Sequence, residues 1–124
     1  MQIEHVAFNV AAPDAVADWY CEHLGMSVAR RLDDAARTHF LRDSAGTMMV
    51  EIYCNPPDTV PDYASMHPLQ LHLAFVSGDP QADLVRLSSA GASLIEDLHL
   101  DDGSNLVMMK DPWGHSVQLC RRGG

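Results

Sequence analysis

Gln70-Leu71-His72-Leu73-Ala74-Phe75-Val76 decides the fold because it repeats a stretch met at the N-terminus, Glu4-His5-Val6-Ala7-Phe8-Asn9-Val10. Each is a short apolar run in which a histidine is followed by an aliphatic residue, an alanine and a phenylalanine. Alternate residues of a strand point to opposite faces. Val6, Phe8 and Val10 therefore share one face of the first run, and Leu71, Leu73 and Phe75 one face of the second. The histidines fall on the other face, beside a small alanine. A histidine on the open side of a strand, twice over, suggests two halves of one site.

The echo runs on downstream. Val50-Glu51-Ile52 and Val117-Gln118-Leu119 are short strands with the polar residue opposite the aliphatic pair, and the offset from His5 to Glu51 equals that from His72 to Gln118, 46 residues. Each half has a glycine stop, Gly25 and Gly91, and an Asp-x-x-Gly turn before its last strand, Asp43-Ser44-Ala45-Gly46 and Asp111-Pro112-Trp113-Gly114. An internal repeat of this span is an architectural signal.

Taken in order, the first strand ends near Val10, and Pro13 and Asp14 suit the first turn of a helix. Val16, Tyr20 and Leu24 follow at helical spacing with Trp19 beside them, and Gly25 ends the helix. Strands are expected over 27–32, 38–42 and 47–53. Four prolines mark a linker after Cys54, ordered by Tyr63 and Met66 packing on the body. The second half restarts with a strand over 70–76 and a helix capped by Asp79-Pro80, with Leu84, Val85 and Leu87 as its buried stripe. Strands over 93–96, 105–110 and 115–120 complete it. The expected architecture is α+β: two β-α-β-β-β modules, 1–54 and 70–121, joined by a linker, 55–69, with a tail at 122–124. They would form a curved, cleft-forming mixed sheet with helices on its outer face.

Composition narrows the function classes. A formal charge of −9 argues against nucleic acid, whose phosphates need clustered Lys and Arg. No apolar run reaches the ~20 residues that span a bilayer, and the N-terminus is too short and polar for a signal peptide. Cys21, Cys54 and Cys120, odd in number and without paired spacing, point to reduced thiols and a cytoplasmic location.

The paired modules, the histidine opening each and the closing Asp-Pro-x-Gly-x-x-x-Gln-Leu hairpin resemble the vicinal oxygen chelate superfamily. That group includes glyoxalase I, methylmalonyl-CoA epimerase, extradiol ring-cleaving dioxygenases, fosfomycin-resistance transferases and bleomycin-resistance proteins. The resemblance covers residues 1 to about 121 and concerns the fold, which does not by itself fix the reaction.

It implies that His5, Glu51, His72 and Gln118 stand where the superfamily takes its metal ligands. Imidazole, carboxylate and amide donors suit a divalent ion such as zinc, nickel, cobalt, manganese or iron. Gln118 stands open as ligand, substrate contact or bystander. The set has the same membership as in the resembling epimerases, with Glu and Gln exchanged between halves. Because an amide cannot take a proton, Glu51 is left as the one base in the set. The favoured activity is a glyoxalase-like, metal-dependent lyase or isomerase that moves a proton next to a carbonyl of a small molecule. A non-haem iron dioxygenase is the first alternative, weakened because that family's carboxylate falls at the position of Gln118. A metal-free bleomycin-resistance-type binder is the second. A homodimer is expected, since half-length modules leave sheet edges to cover.

Of the remaining candidates, His39 lies in a strand that could face the cleft, and Tyr53 shares the face of Glu51 as substrate contact or packing. Trp113 is read as a cleft, dimer or turn residue. His23, His67, His99 and His115 are expected on helix or loop and solvated.

Overall fold

The computed structural model describes all residues, Met1–Gly124, as two compact units, Met1–Pro61 and Asp62–Gly124. In the first, β1 (Val6–Asn9) leads into α1 (Pro13–Leu24), followed by β2 (Ser27–Arg31), β3 (His39–Arg42) and β4 (Met49–Tyr53). In the second, β5 (Leu73–Val76) and α2 (Pro80–Ser89) are followed by β6 (Ser93–His99), β7 (Asn105–Lys110) and β8 (Ser116–Arg121). The sheets have the same strand order, β1-β4-β3-β2 and β5-β8-β7-β6. In both, the first strand runs parallel to the last and the other pairs are antiparallel.

The repeat holds to the level of single residues. Ala7 pairs with Glu51 and Glu51 with Phe40; Ala74 pairs with Gln118 and Gln118 with Met108. Even the irregularities match: β2 is bulged between Val28 and Arg30, and β6 between Leu94 and Glu96.

Local chemistry explains why the elements start and stop where they do. Pro13 opens α1, and Gly25 closes it in the left-handed conformation at φ 68°, its N–H bonded to the Tyr20 carbonyl. Asp79 caps α2 by accepting from the Ala82 N–H at 3.1 Å, with Pro80 in the first turn. The two Asp-x-x-Gly turns close alike, with Gly46 donating to the Asp43 carbonyl and Gly114 to the Asp111 carbonyl. The aspartate side chains accept the backbone N–H groups of Thr47 and Met48, and of Trp113 and His115.

Each core lies between a helix and one face of its own sheet. In the first unit the buried residues are Val16, Ala17 and Tyr20 of α1 with Leu41, Val50 and Ile52 of the strands it packs on; in the second they are Leu87 of α2 with Val107, Met109, Val117 and Leu119 of β7 and β8. Two expectations fail here. Val6 is 40% exposed and Val85 68% exposed, so neither belongs to a core. Val6 lies on an edge strand at the end remote from Val10, which is the buried residue of that face. On α2, the apolar stripe is narrower than its composition suggested, with Leu87 buried and Leu84 half-buried.

The second-half opening strand is also shorter than read. Gln70 and Leu71 lie ahead of β5, and Gln70 belongs to a turn in which its N–H donates to the His67 carbonyl at 2.9 Å. The Pro-rich segment carries two single 3-10 turns, Pro57–Thr59 and Tyr63–Ser65. Tyr63 is buried, its ring centroid 4.5 Å from that of His115, and Met66 is half-buried. The buried Lys110 ammonium donates to the Tyr63 and Met66 carbonyls at 2.7 Å each.

Candidate functional site

With helices on one face of each sheet, the other face is where register places the candidate residues. On the first sheet Ala7, Glu51, Phe40 and Arg30 form one row across all four strands. His5, one residue ahead of β1, joins this face. Its Nε2 lies 2.8 Å from Glu51 Oε2, and its ring meets Phe40 edge-on at 5.9 Å between centroids. Its Nδ1 contacts the Glu4 carboxylate. That hydrogen bond raises the pKa of His5 above the usual imidazole value, with the charges of Glu51 and Glu4 adding to it and desolvation opposing.

On the second sheet the matching row is Ala74, Gln118, Met108 and Glu96. His72 precedes β5 as His5 precedes β1. Its Nδ1 lies 3.0 Å from the Pro68 carbonyl. A carbonyl only accepts, so Nδ1 carries a proton; in the neutral ring this leaves the lone pair on Nε2, as in metal-ligating histidines oriented by an outer partner. Gln118 Oε1 accepts from the Cys120 thiol at 3.1 Å, and burial pushes that thiol's pKa up. All three cysteines are free.

The structure thus brings His5 and Glu51 together in the first unit and sets Gln118 on the corresponding strand of the second. Within neither unit do three His, Cys, Asp or Glu side chains gather as a cation cage. Each unit offers two of the four candidate donors. The donors fit a divalent ion chemically: two imidazoles, a carboxylate and an amide. Bonds of about 2.1 Å place neighbouring donors roughly 3 Å apart around such an ion, close to the His5–Glu51 separation.

Other candidates are corrected. His39 does not face the open side: it is fully buried beneath α1, its Nδ1 on the Arg37 carbonyl at 2.7 Å and its Nε2 3.8 Å from Asp14 Oδ1. Its register partner is Ile52, a core residue, which fixes the face. His115 is not solvated either; Nδ1 is 2.6 Å from Asp111 Oδ2 and the side chain is 13% exposed. His23 packs on Trp19 at 5.1 Å, and His99 ends β6 beside Asp97 rather than lying in a loop. Tyr53 keeps the face of Glu51, opposite Asn9. Trp113 sits half-buried in the hairpin turn.

Glu4, Phe40, the Pro68 carbonyl and Cys120 are contacts of the site that sequence reasoning missed. Cys120 was accessible to it, two residues from Gln118 on one strand face. Phe40 required the register of β3 against β4, which no local pattern specifies.

Comparison with known proteins agrees with this layout. No curated protein matches. Among solved structures, a glyoxalase family protein from Enterococcus faecalis is 26% identical with a TM-score of 0.74, covering 97% of each chain. A glyoxalase family protein from Bacillus cereus is 17% identical with a TM-score of 0.83, covering 100% of this chain and 95% of that one. TnmS3, an antibiotic binding protein from Streptomyces sp. CB03234, is 20% identical with a TM-score of 0.74 over 99% of both chains. No helix is long and apolar enough to cross a membrane. The family model of the Glyoxalase/Bleomycin resistance protein/Dioxygenase superfamily matches residues 2–119, and the chain belongs to that superfamily.

Proposed function

We propose that the chain is a glyoxalase-like lyase or isomerase that transfers a proton next to a carbonyl of a small molecule. His5, Glu51, His72 and Gln118 are its proposed ligands for a divalent ion. The observation that carries this reading is the His5–Glu51 contact at 2.8 Å on the open face of the first sheet. Its support is that Gln118 holds in the second sheet the register Glu51 holds in the first, with His72 one residue ahead of β5 as His5 is of β1.

A divalent ion, when bound, supplies charge that polarises a carbonyl oxygen and acidifies the neighbouring C–H. The protein's own residues do the rest. Glu51 is the group that can take the proton and return it to the adjacent carbon from the same side. His5, wedged between Glu51 and Phe40, fixes the carboxylate's direction. His72 presents Nε2 because Pro68 occupies Nδ1. Gln118 contributes oxygen without charge, and being unable to titrate it leaves the proton to a single base. This favours a one-base shuttle over a two-base epimerisation.

The test is deuterium incorporation from solvent into a hydroxyketone such as hydroxyacetophenone, followed by proton NMR. Exchange at the carbon between the two oxygens is expected with the native protein and is lost in Glu51→Gln. Exchange surviving in Glu51→Gln removes Glu51 from the base role. A second reading, metal-free binding of a small molecule, is favoured by the likeness to the antibiotic binding protein. It predicts binding with no bound metal and no exchange.

A further inference from the structure

We infer that the small molecule carries a carboxylate, and that Arg30 is the residue that selects it. The placing of that carboxylate relative to a reacting carbonyl rests on the proton-transfer reading above.

The argument begins with the bulge in β2. Val28 pairs with Leu41, so a regular ladder would set Ala29 opposite Phe40. The bulge makes Ala29 the extra residue and gives its place to Arg30. Bulges re-aim side chains in this way beside functional sites. The result is a row on the open face in which Glu51, Phe40 and Arg30 stand side by side on three adjacent strands. Strands lie about 4.8 Å apart, so the backbones of Glu51 and Arg30 are separated by roughly 10 Å, with an aromatic ring between them. A proton-transferring carboxylate, an apolar plank and a guanidinium, in that order, match a carbonyl compound whose anion lies across a ring from its reactive end.

The charges of the rest of the chain single out Arg30. Arg37 is held by Asp14 and Arg86 by Asp83. Lys110 is spent on two backbone carbonyls. Arg31 pairs with His39, on the helix side, in the field of Asp14. Arg42 runs its stem along the Asp43–Gly46 turn. Arg121 ends β8 opposite Asn105 in the second unit, and Arg122 lies in the field of Asp102. Arg30 is exposed, on the site face, and makes no ion pair or side-chain hydrogen bond. The corresponding row of the second unit ends in Glu96, the opposite charge, so the anion preference belongs to the first unit.

The overall charge of −9 does not forbid an anion. The Debye length at physiological salt is about 8 Å, so a contact with one guanidinium outweighs distant carboxylates. Arg also fits a carboxylate in a planar, bidentate way that Lys does not.

The test uses para-(hydroxyacetyl)benzoate and its methyl ester, identical except for the charge. Affinity is measured by isothermal titration and deuterium exchange by NMR, on the purified protein. The native protein is expected to bind the acid about tenfold more tightly than the ester, a difference of ~1.4 kcal/mol. Arg30→Ala abolishes the preference by weakening the acid alone, and Arg30→Lys restores part of it. Arg31→Ala removes the same charge from the other face of the same strand and leaves the preference intact. Equal binding of acid and ester by the native protein, an unchanged ratio in Arg30→Ala, equal loss in Arg31→Ala, or binding of neither probe overturns the inference. Loss of exchange with the acid preference preserved overturns the proton-transfer reading and leaves the assignment of Arg30 standing.

Discussion

Glu51 and Gln118 occupy the same register position in two copies of one sheet, yet only one of them can carry a proton. That asymmetry is where the chemistry of this chain is expected to reside. Gln118→Glu should therefore retain bound metal, because a carboxylate replaces an amide oxygen at the same place, whereas Glu51→Gln should retain the fold and lose proton transfer. Metal analysis and deuterium exchange on the two variants check this together. The residue scale is also where the sequence was most informative. Strand alternation and a shared offset placed His5 and Glu51 on one face, and the ion-pair distance between them agrees. Alternation failed for His39, whose neighbours in sequence are compatible with either face. Only its pairing with Ile52 and the cover supplied by α1 settle that it is buried.

At the scale of elements, caps and turns were legible because their chemistry is local. Pro13, Gly25, Asp79 and the two Asp-x-x-Gly turns do what their residue types require. The start of β5 was not legible, since Gln70 and Leu71 continue an apolar alternation that the turn at His67 interrupts from outside it. Burial also depends on tertiary cover. Ile52→Asp and Leu119→Asp should unfold the protein, at a cost above about 4 kcal/mol, because each puts a charge against a helix. Val6→Asp should fold, since Val6 is on an exposed edge. Circular dichroism with urea titration separates the two outcomes.

Gly114 offers a sharper test of the hairpin. It has φ 90°, and a Cβ there would lie 2.6 Å from the Ala64 Cα. Gly114→Ala should cost about 2–3 kcal/mol, while Gly78→Ala, with open space around it, should be nearly neutral; thermal unfolding of both decides. A network in the second unit ties α2 to the sheet: Gln81 donates to Asp97 and to Asn105, and buried Asn105 donates to Asp97. The Gln81 and Asn105 bonds hold the Asp97 pKa below the usual carboxylate value. A lowered native pKa means stability that is present above the unfolded value, about 3.9, and is lost as pH falls through the native one. Asp97→Ala should cost about 1–3 kcal/mol at neutral pH by leaving Asn105 short of a partner. It should also flatten the fall in stability below about pH 4. Urea unfolding at neutral and acid pH provides the measurement.

At the scale of the whole molecule, the duplication explains why so much of the fold could be read from one chain. Two copies of a β-α-β-β-β pattern constrain each other, and the family match over residues 2–119 follows from that pattern. Each unit leaves the outer strands of its four-stranded sheet as edges, and we propose that the protein covers exposed edge and apolar surface by forming a homodimer. Light scattering across the micromolar range is expected to give twice the chain mass of 13.6 kDa; a monomer throughout contradicts the proposal.

The central claim is that the repeat-related donors His5, Glu51, His72 and Gln118 bind a divalent metal ion. The most direct measurement is the metal content of the purified protein after equilibration with divalent ions and removal of the excess, compared across native protein, Glu51→Ala and His72→Ala. The account predicts stoichiometric metal in the native protein and strong loss in both variants, with unchanged thermal unfolding of their metal-free forms. A native protein that retains no metal, or a His72→Ala variant that retains all of it, would contradict the claim.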